Sequence, residues 1–473
     1  MFMAKNQGKA PLWEAIRKHI AKRGTGFHTP GHQGGRGIDL EVKDFWGLNV
    51  LQSDLTEVPG LDSLDMAQGV IREAQQLAAE LHGARGTHFL VNGTSAGIMA
   101  MSLAVGGPGK VMVVPRNCHV SVIRGLILSG SKPVFVESEV DKDTGLVLGV
   151  ALAALEEVLA RNSEAEAVLL VHPNYFGVCG PLEEQVGLCH RYGKRVLVDE
   201  AHGSHFSFHP GLPVSAMEAG ADLCAQSYHK TLSSLTQSSL LHWGERWTDE
   251  ERIKGAVAMV QSTSPSYLLM ASLDLARRQM ALYGYELWEN TLARAAWLRE
   301  EINKIKGFRC LSREDVYGSG FAQMDETRLV VTGASLGLSG SQLADMLRES
   351  YTINVEMAQG AYIVLIITPG TGEGQSRALL TALAQISLQG QTGRYPLTIG
   401  SLPPLPLLRM NPREAWFARH RLVSLGDSIG RVAAQTVAPC PPGIPVLIPG
   451  EEISPEIGAY LTGLVDTINI VDG

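Results

Sequence analysis

The chain has 473 residues, 45% of them hydrophobic and 19% charged, with 48 acids against 40 bases for a formal charge of −8. That balance excludes a disordered or collagen-like chain, and its sign excludes nucleic-acid binding driven by bulk positive charge. Six cysteines without a C-x-x-C pair are too few for a disulfide scaffold, so reduced thiols are expected.

In chain order, residues 1–22 are basic and amphipathic and lack the apolar core and small-residue cleavage site of a signal peptide. Leu12, Ile16 and Ile20 share one face of a helix over 11–22. A loop rich in glycine and histidine follows at 27–37. Residues 39–65 then hold seven acids (Asp39, Glu41, Asp44, Asp54, Glu57, Asp62, Asp65) and one base, Lys43. Val70, Leu77 and Leu81 predict a helix over 66–82.

From there short apolar runs recur at 87–91, 111–114, 134–137, 168–172, 195–198, 222–225 and 239–243, mostly separated by helix-like stretches. Strands alternating with helices predict a mostly parallel, seven-stranded α/β domain covered on both faces. Residues 267–305 read as one long helix leading out of it. A second α+β pattern has strands at 329–332 and 363–368 and a helix at 376–388. A proline-rich unit from about residue 402 ends in a weak helix. The division is an N-terminal helix and arm (1–65), a large α/β domain (66–285), a small α+β domain (286–395) and a C-terminal domain (396–473). No window of 18 residues is apolar enough to span a bilayer, so a soluble cytoplasmic protein is expected.

Four signals fall at predicted strand ends, where open α/β sheets place their ligands. Asn92-Gly-Thr-Ser-Ala-Gly97 opens a helix and offers hydroxyls and backbone N–H groups to a phosphate, although an ordinary capped helix reads equally well. Asp199, in Asp199-Glu-Ala-His202, follows a buried strand, where a carboxylate needs a partner or serves as a helix cap. Lys230, in Ser227-Tyr-His229-Lys230, ends another apolar strand, which makes it a candidate Schiff-base former, the alternative being a lysine snorkelling at the sheet edge. His119, in Pro115-Arg-Asn-Cys-His119, offers a flat ring for stacking. A phosphate cup, then an acid, then a lysine about thirty residues later is what a pyridoxal phosphate (PLP) site needs. No metal site is expected.

These residues closely resemble the Orn/Lys/Arg decarboxylases of PLP fold type I, the aspartate aminotransferase-like fold, in the short form of the bacterial biosynthetic arginine decarboxylases. The shared motifs are His28-Thr-Pro-Gly-His32, Asp54-Leu-Thr-Glu57, Asn92-Gly-Thr-Ser95, Pro115-Arg-Asn-Cys-His119, Asp199-Glu-Ala-His202, Ser227-Tyr-His-Lys230, Ser262-Thr-Ser-Pro265 and Pro441-Pro-Gly-Ile-Pro445 to Pro449-Gly-Glu451. The resemblance implies decarboxylation of a basic amino acid, with arginine to agmatine and CO2 in polyamine biosynthesis ahead of lysine to cadaverine or ornithine to putrescine. It implies Lys230 on the cofactor's aldehyde, Asp199 on the pyridine nitrogen and His119 stacked on the ring. Thr94, Ser95, Ser227 and His229 fall to the phosphate, with Ala96 and His202 also at the cofactor and Ser262 or Thr263 reaching over from a second subunit of a homodimer. Lys230 or His229 would protonate Cα after CO2 leaves. His202 stands where longer inducible members often carry tryptophan, and the wing domain of those members is absent, so their decamer is not expected.

A basic substrate needs an acceptor for its distal cation, and Asp54, Glu57, Asp62 and Glu451 are the acids proposed for it, most other acids here being solvated surface. Two other classes share parts of this pattern. A fold type I aminotransferase or lyase uses the same Lys–Asp–phosphate set, and a non-catalytic regulatory homologue keeps the fold without turnover.

Overall fold

The computed structural model describes residues 6–389, 393–397, 404–439 and 443–472. Pro403 and Cys440-Pro-Pro442 of the proline-rich motifs lie outside these residues. Two compact units divide the chain: Met1–Ala104, Val198–Pro210 and Val214–Leu287 in the first, and Val105–Leu197, Gly211–Pro213 and Trp288–Gly473 in the second.

The first eight strands are β1 (Gly86–Leu90), β2 (Val111–Pro115), β3 (Lys132–Val136), β4 (Ala165–Val171), β5 (Val178–Cys179), β6 (Arg195–Asp199), β7 (Leu223–Gln226) and β8 (Ser239–Trp243). Seven of them, all but β5, form one mostly parallel sheet in the order β1-β8-β7-β6-β4-β2-β3. Their near-unbroken burial explains why they read as continuous apolar runs and not as alternating ones. β8 is the reversed strand, antiparallel to both β1 and β7.

In the first unit α1 (Pro11–Ala21), α2 (Leu40–Ser53), α3 (Val70–Leu81) and most of α4 (Gly93–Val105) accompany β1, β7 and β8. The amphipathic face of α1 buries Leu12 and Ile16. Its first turn is tied down by Asp274, which accepts the Leu12 N–H at 3.0 Å and pairs with Arg277 at 2.9 Å, both side chains being fully buried. Arg277 returns a bond to the Gln7 carbonyl at 2.6 Å. The acidic arm differs from the expected loop: α2 runs through it, broken at Gly47, and Phe45 and Trp46 point to solvent. α3 begins at Val70, four residues later than its apolar spacing predicts, because Asp62 gathers the amides that precede it.

In the second unit β2 pairs in parallel with β3 and β4, and α5 (Val120–Ser129) follows β2. Seven further strands follow: β9 (Arg309–Cys310), β10 (Gln323–Met324), β11 (Arg328–Thr332), β12 (Met357–Gln359), β13 (Tyr362–Ile366), β14 (His420–Ser424) and β15 (Thr467–Val471). The smaller sheet has the order β12-β13-β11-β9, while β10 pairs with β5. Helices Gly340–Tyr351 and Glu373–Leu388 pack Leu343, Leu347, Leu379 and Leu383 onto Val331, Ile363 and Leu365 of that sheet. The C-terminal segment does not end in a helix as expected. Helix Pro455–Leu461 is followed by β15, whose Ile468 and Ile470 are buried with period two and which pairs antiparallel with β14. The five described cysteines (Cys118, Cys179, Cys189, Cys224, Cys310) are buried and form no disulfide. No helix among the described residues is long and apolar enough to cross a membrane.

Candidate active site

In the first unit three strand ends bring their hydroxyls together. Thr94, in the first turn of α4, is hydrogen-bonded to Ser227 Oγ and donates to Ser239 Oγ at 2.9 Å. All three are buried. Ser227 follows β7 and Ser239 opens β8, so the cluster exists because β8 returns antiparallel beside β7. Ala96 is buried and Ser95 half-buried in the same turn. Gly97 lets α4 lie close to the sheet, since a Cβ there would sit 2.7 Å from Leu90 Cδ1 and 3.2 Å from Ala225 Cβ. Buried hydroxyls at the N-terminus of a 13-residue helix, whose Gly93 N–H donates to the Gln237 carbonyl at 2.9 Å, suit a dianion.

Asp199 is the last residue of β6, is 6% exposed, and accepts the Ala201 N–H at 3.2 Å. Lys230 lies on the short helix Tyr228–Thr231, with Nζ 2.9 Å from His202 Nε2. An ammonium must donate there, so His202 presents a lone pair from Nε2. His229 donates Nδ1–H to the Ser238 carbonyl at 2.9 Å. Burial holds the His229 imidazole below its ordinary pKa and the neighbouring Lys230 cation adds to this, so the ring is neutral near pH 7. Ser204 Oγ donates to the Ser227 carbonyl at 3.1 Å and meets Thr231 Oγ1 at 2.8 Å, bracing the turn on both sides of Lys230.

His119 belongs to the second unit and caps α5. Its Nδ1 accepts from Ser121 Oγ at 2.8 Å and from Ser121 N–H at 3.2 Å. The other ring edge meets Gly443, where a Cβ would lie 3.2 Å from both Cδ2 and Nε2; with φ at +77° this position demands glycine on two counts. Val120 N–H donates to the Gly443 carbonyl at 3.0 Å, so the described part of the proline-rich motif supports the His119 loop.

The proposed cation acceptors fare differently. Glu451 is 1% exposed and forms a two-point ion pair with Arg116, at 3.0 and 3.1 Å, so its charge faces a guanidinium of its own chain. Burial nevertheless pushes its carboxyl up to about 6. Arg116 also donates to the Val446 carbonyl at 2.9 Å and stacks 4.9 Å over the Phe135 ring. Asp62, at φ 69°, accepts the backbone N–H of Ser63, Gln68, Gly69, Ile71 and Arg72, which makes it the cap of α3. These amides hold its carboxyl below the usual range against the opposing effect of burial. Asp54 pairs with His32 at 3.1 Å, and Glu57 accepts Ser63 Oγ at 2.7 Å. Thr263 is exposed, in a turn closed by Ser264 N–H on Ser262 Oγ. Asp62→Ala should therefore cost about 1 kcal/mol of stability through the lost cap and leave the substrate KM unchanged. Urea unfolding and steady-state kinetics check the two halves.

Arg116, Ser239 and Glu200 escaped the reading of the sequence. A basic residue inside the His119 motif and two consecutive acids after a buried strand were the signals available.

Residues 10–375 match the major domain of the Orn/Lys/Arg decarboxylases and residues 401–472 match their C-terminal domain. The chain belongs to the Orn/Lys/Arg decarboxylase family. As a member of this family it is an amino acid decarboxylase. An arginine decarboxylase from Bacillus subtilis (strain 168) is 41% identical over 458 residues, covering 96% of this chain and 94% of that one. Among solved structures, lysine decarboxylase A from Pseudomonas aeruginosa superposes with a TM-score of 0.85 at 23% identity, over 98% of this chain and 80% of that one. A serine palmitoyltransferase from S. paucimobilis with bound PLP shares the fold at a TM-score of 0.54 and 17% identity, covering 80% of this chain and 83% of that one. Members of the Orn/Lys/Arg decarboxylase family thus share PLP fold type I, and the residues present fit that cofactor. Buried hydroxyls at a helix start suit a phosphate, a buried carboxylate suits a pyridinium, and an amine beside a neutral imidazole suits an aldehyde.

Proposed function

We propose that the protein decarboxylates L-arginine to agmatine and CO2 with PLP held by Lys230, Asp199 and the Thr94–Ser227–Ser239 hydroxyls. The observation that carries the substrate is the 41% identity, over nearly the whole of both chains, to a protein called arginine decarboxylase. When bound, PLP supplies the electron sink for the pair left at Cα as CO2 departs.

The chain's own residues do the rest. Thr94, Ser95, Ser227 and the first amides of α4 anchor the phosphate, with Ala96 packed in the same turn and His229 beside it. Asp199 keeps a pyridine nitrogen protonated because its carboxylate is buried at a strand end, where water competes poorly. Lys230 would hold the cofactor's aldehyde, and its amine, or the imidazole of His229, would return a proton to the substrate Cα. His202 holds that amine in place between the two tasks. His119, fixed at both ring edges, supplies the stacking plane.

A homodimer belongs to the same reading. Phe27, Leu40, Phe45 and Met66 stand 73–97% exposed along residues 27–66, more apolar surface than one segment of a monomer ordinarily shows to water. Thr263 or Ser262 of a second copy would complete the phosphate site. The cytoplasm is the proposed location, in keeping with buried cysteines.

Incubation of the PLP-loaded protein with arginine, lysine and ornithine separately, followed by identification of the amine, tests the substrate. Agmatine should form at least about tenfold faster than cadaverine or putrescine, a gap of about 1.4 kcal/mol in transition-state binding. A preference for lysine or ornithine would overturn the assignment.

A further inference from the structure

Directly behind the site residues of the first unit runs a second row of polar side chains, one from each of four neighbouring strands. Glu200 follows Asp199 at the end of β6, Gln226 precedes Ser227 at the end of β7, His242 lies three residues beyond Ser239 in β8, and Thr87 lies in β1. All four are buried, none more than 4% exposed. Gln226 Nε2 donates to Glu200 Oε2 at 2.6 Å, His242 Nε2 meets Gln226 Oε1 at 3.1 Å, and Thr87 Oγ1 meets His242 Nδ1 at 2.7 Å. Glu200 also accepts the Ala216 N–H at 2.7 Å and the Cys224 thiol at 3.3 Å.

The direction of this row follows from one residue. Once ionised, Glu200 presents oxygens only, so Gln226 must turn its NH2 toward it and its carbonyl toward His242. His242 must then carry its proton on Nε2, which leaves Nδ1 to accept from the Thr87 hydroxyl. Burial keeps His242 well below its ordinary pKa, with His82 beside it adding to this, so the ring stays neutral and the tautomer is defined. Burial pushes the Glu200 carboxyl up to about 8, with donors from Gln226, Ala216 and Cys224 pulling the other way, so the ionised form that fixes this direction holds above that pH.

We propose that Glu200 is a positioning residue of the cofactor site: it sets the polarity of a four-strand hydrogen-bonded row, and that row holds in register the strand ends carrying Asp199, Ser227 and Ser239. The inference rests on the PLP reading only for what those strand ends bind. A half-satisfied buried row costs more than an apolar one, so its members must all point the same way, and the polarity is transmitted across the sheet.

Replacing Glu200 with glutamine keeps the shape and reverses the polarity. The new amide oxygen stays on the Ala216 N–H, its NH2 faces the NH2 of Gln226, and Gln226 relieves the clash by turning over. His242 then has to accept at Nε2 and move its proton to Nδ1, where Thr87 accepts it.

The test is nitrogen NMR of ring-labelled histidine in the full-length protein at about pH 9, where Glu200 is ionised, without cofactor, alongside PLP affinity measured by titration at the same pH. Wild type should show His242 as the Nε2–H tautomer. Glu200→Gln should convert it to Nδ1–H and weaken PLP binding about tenfold, or about 1.4 kcal/mol. The double variant Glu200→Gln, Gln226→Glu returns an acceptor to His242 and should restore both the Nε2–H form and PLP binding to within about threefold. Thr87→Val, at the far end, should leave the tautomer unchanged, and it serves if Glu200→Gln fails to fold. A wild-type His242 in the Nδ1–H or imidazolium form, a Thr87→Val variant that inverts it, or an inverted tautomer with unaltered PLP affinity would each overturn the proposal. Failure of the PLP reading looks different: wild type would bind no PLP while the tautomer result stood.

Discussion

Lys230→Ala should lose decarboxylation by at least about a thousandfold, the scale on which removal of a covalent catalyst acts. The loss has two origins in this structure. The amine that binds the aldehyde is gone, and His202, whose Nε2 lies 2.9 Å from it, loses the group it orients. Added PLP should still find the phosphate cup and Asp199, so the variant should bind PLP with the absorbance band of the free aldehyde and without that of a lysine-bound one. Stopped CO2 release with cofactor retained as its free aldehyde is the expected pair of results. Turnover at even a tenth of the wild-type rate would remove Lys230 from its role.

Glu451→Ala should cost about 3–5 kcal/mol of stability, the penalty for leaving a buried cation without its partner. Arg116 keeps only 13% of its side chain exposed, so solvent cannot take over from the lost carboxylate. The Ile448 N–H, which donates to Glu451 at 2.9 Å, is orphaned by the same change. Glu451→Gln should cost less, because an amide oxygen still serves Arg116, and Arg116 retains the Val446 carbonyl. Urea unfolding of the two variants checks the order. A loss below about 1 kcal/mol for the alanine variant would mean that the ion pair contributes no more than an exposed one.

The large sheet was legible because its strands are buried on both faces, and a short unbroken apolar run between turn residues is the signature of such a strand. The placement of Lys230, Asp199 and Thr94 at or just after strand ends was legible because each polar residue follows an apolar run. α2 was not, because Gly47 interrupts it and its apolar side chains face outward, leaving no helical stripe to find. β15 escaped because two buried isoleucines are too few to separate a period of two from a period near four. The partners of the acids were not legible for a different reason. Composition counts charges but not partners, and Glu451 and Asp62 each spend theirs within the chain. Glu200 was hidden by its neighbour: once Asp199 has a task, nothing in the sequence signals independently that the next acid points the other way, into a row of buried amide and imidazole.

The burial of the five described cysteines sets how the protein fails. With the Cys310 thiol pushed up to about 12 by burial, and that of Cys224 pushed up as well, neither ionises in the folded state at neutral pH, and oxidants act on thiolates. Unfolding exposes these sulfurs together and returns them to ordinary acidity. In air, then, the unfolded chain cross-links instead of refolding, and loss of activity on heating becomes a one-way rate that a reductant converts back into an equilibrium.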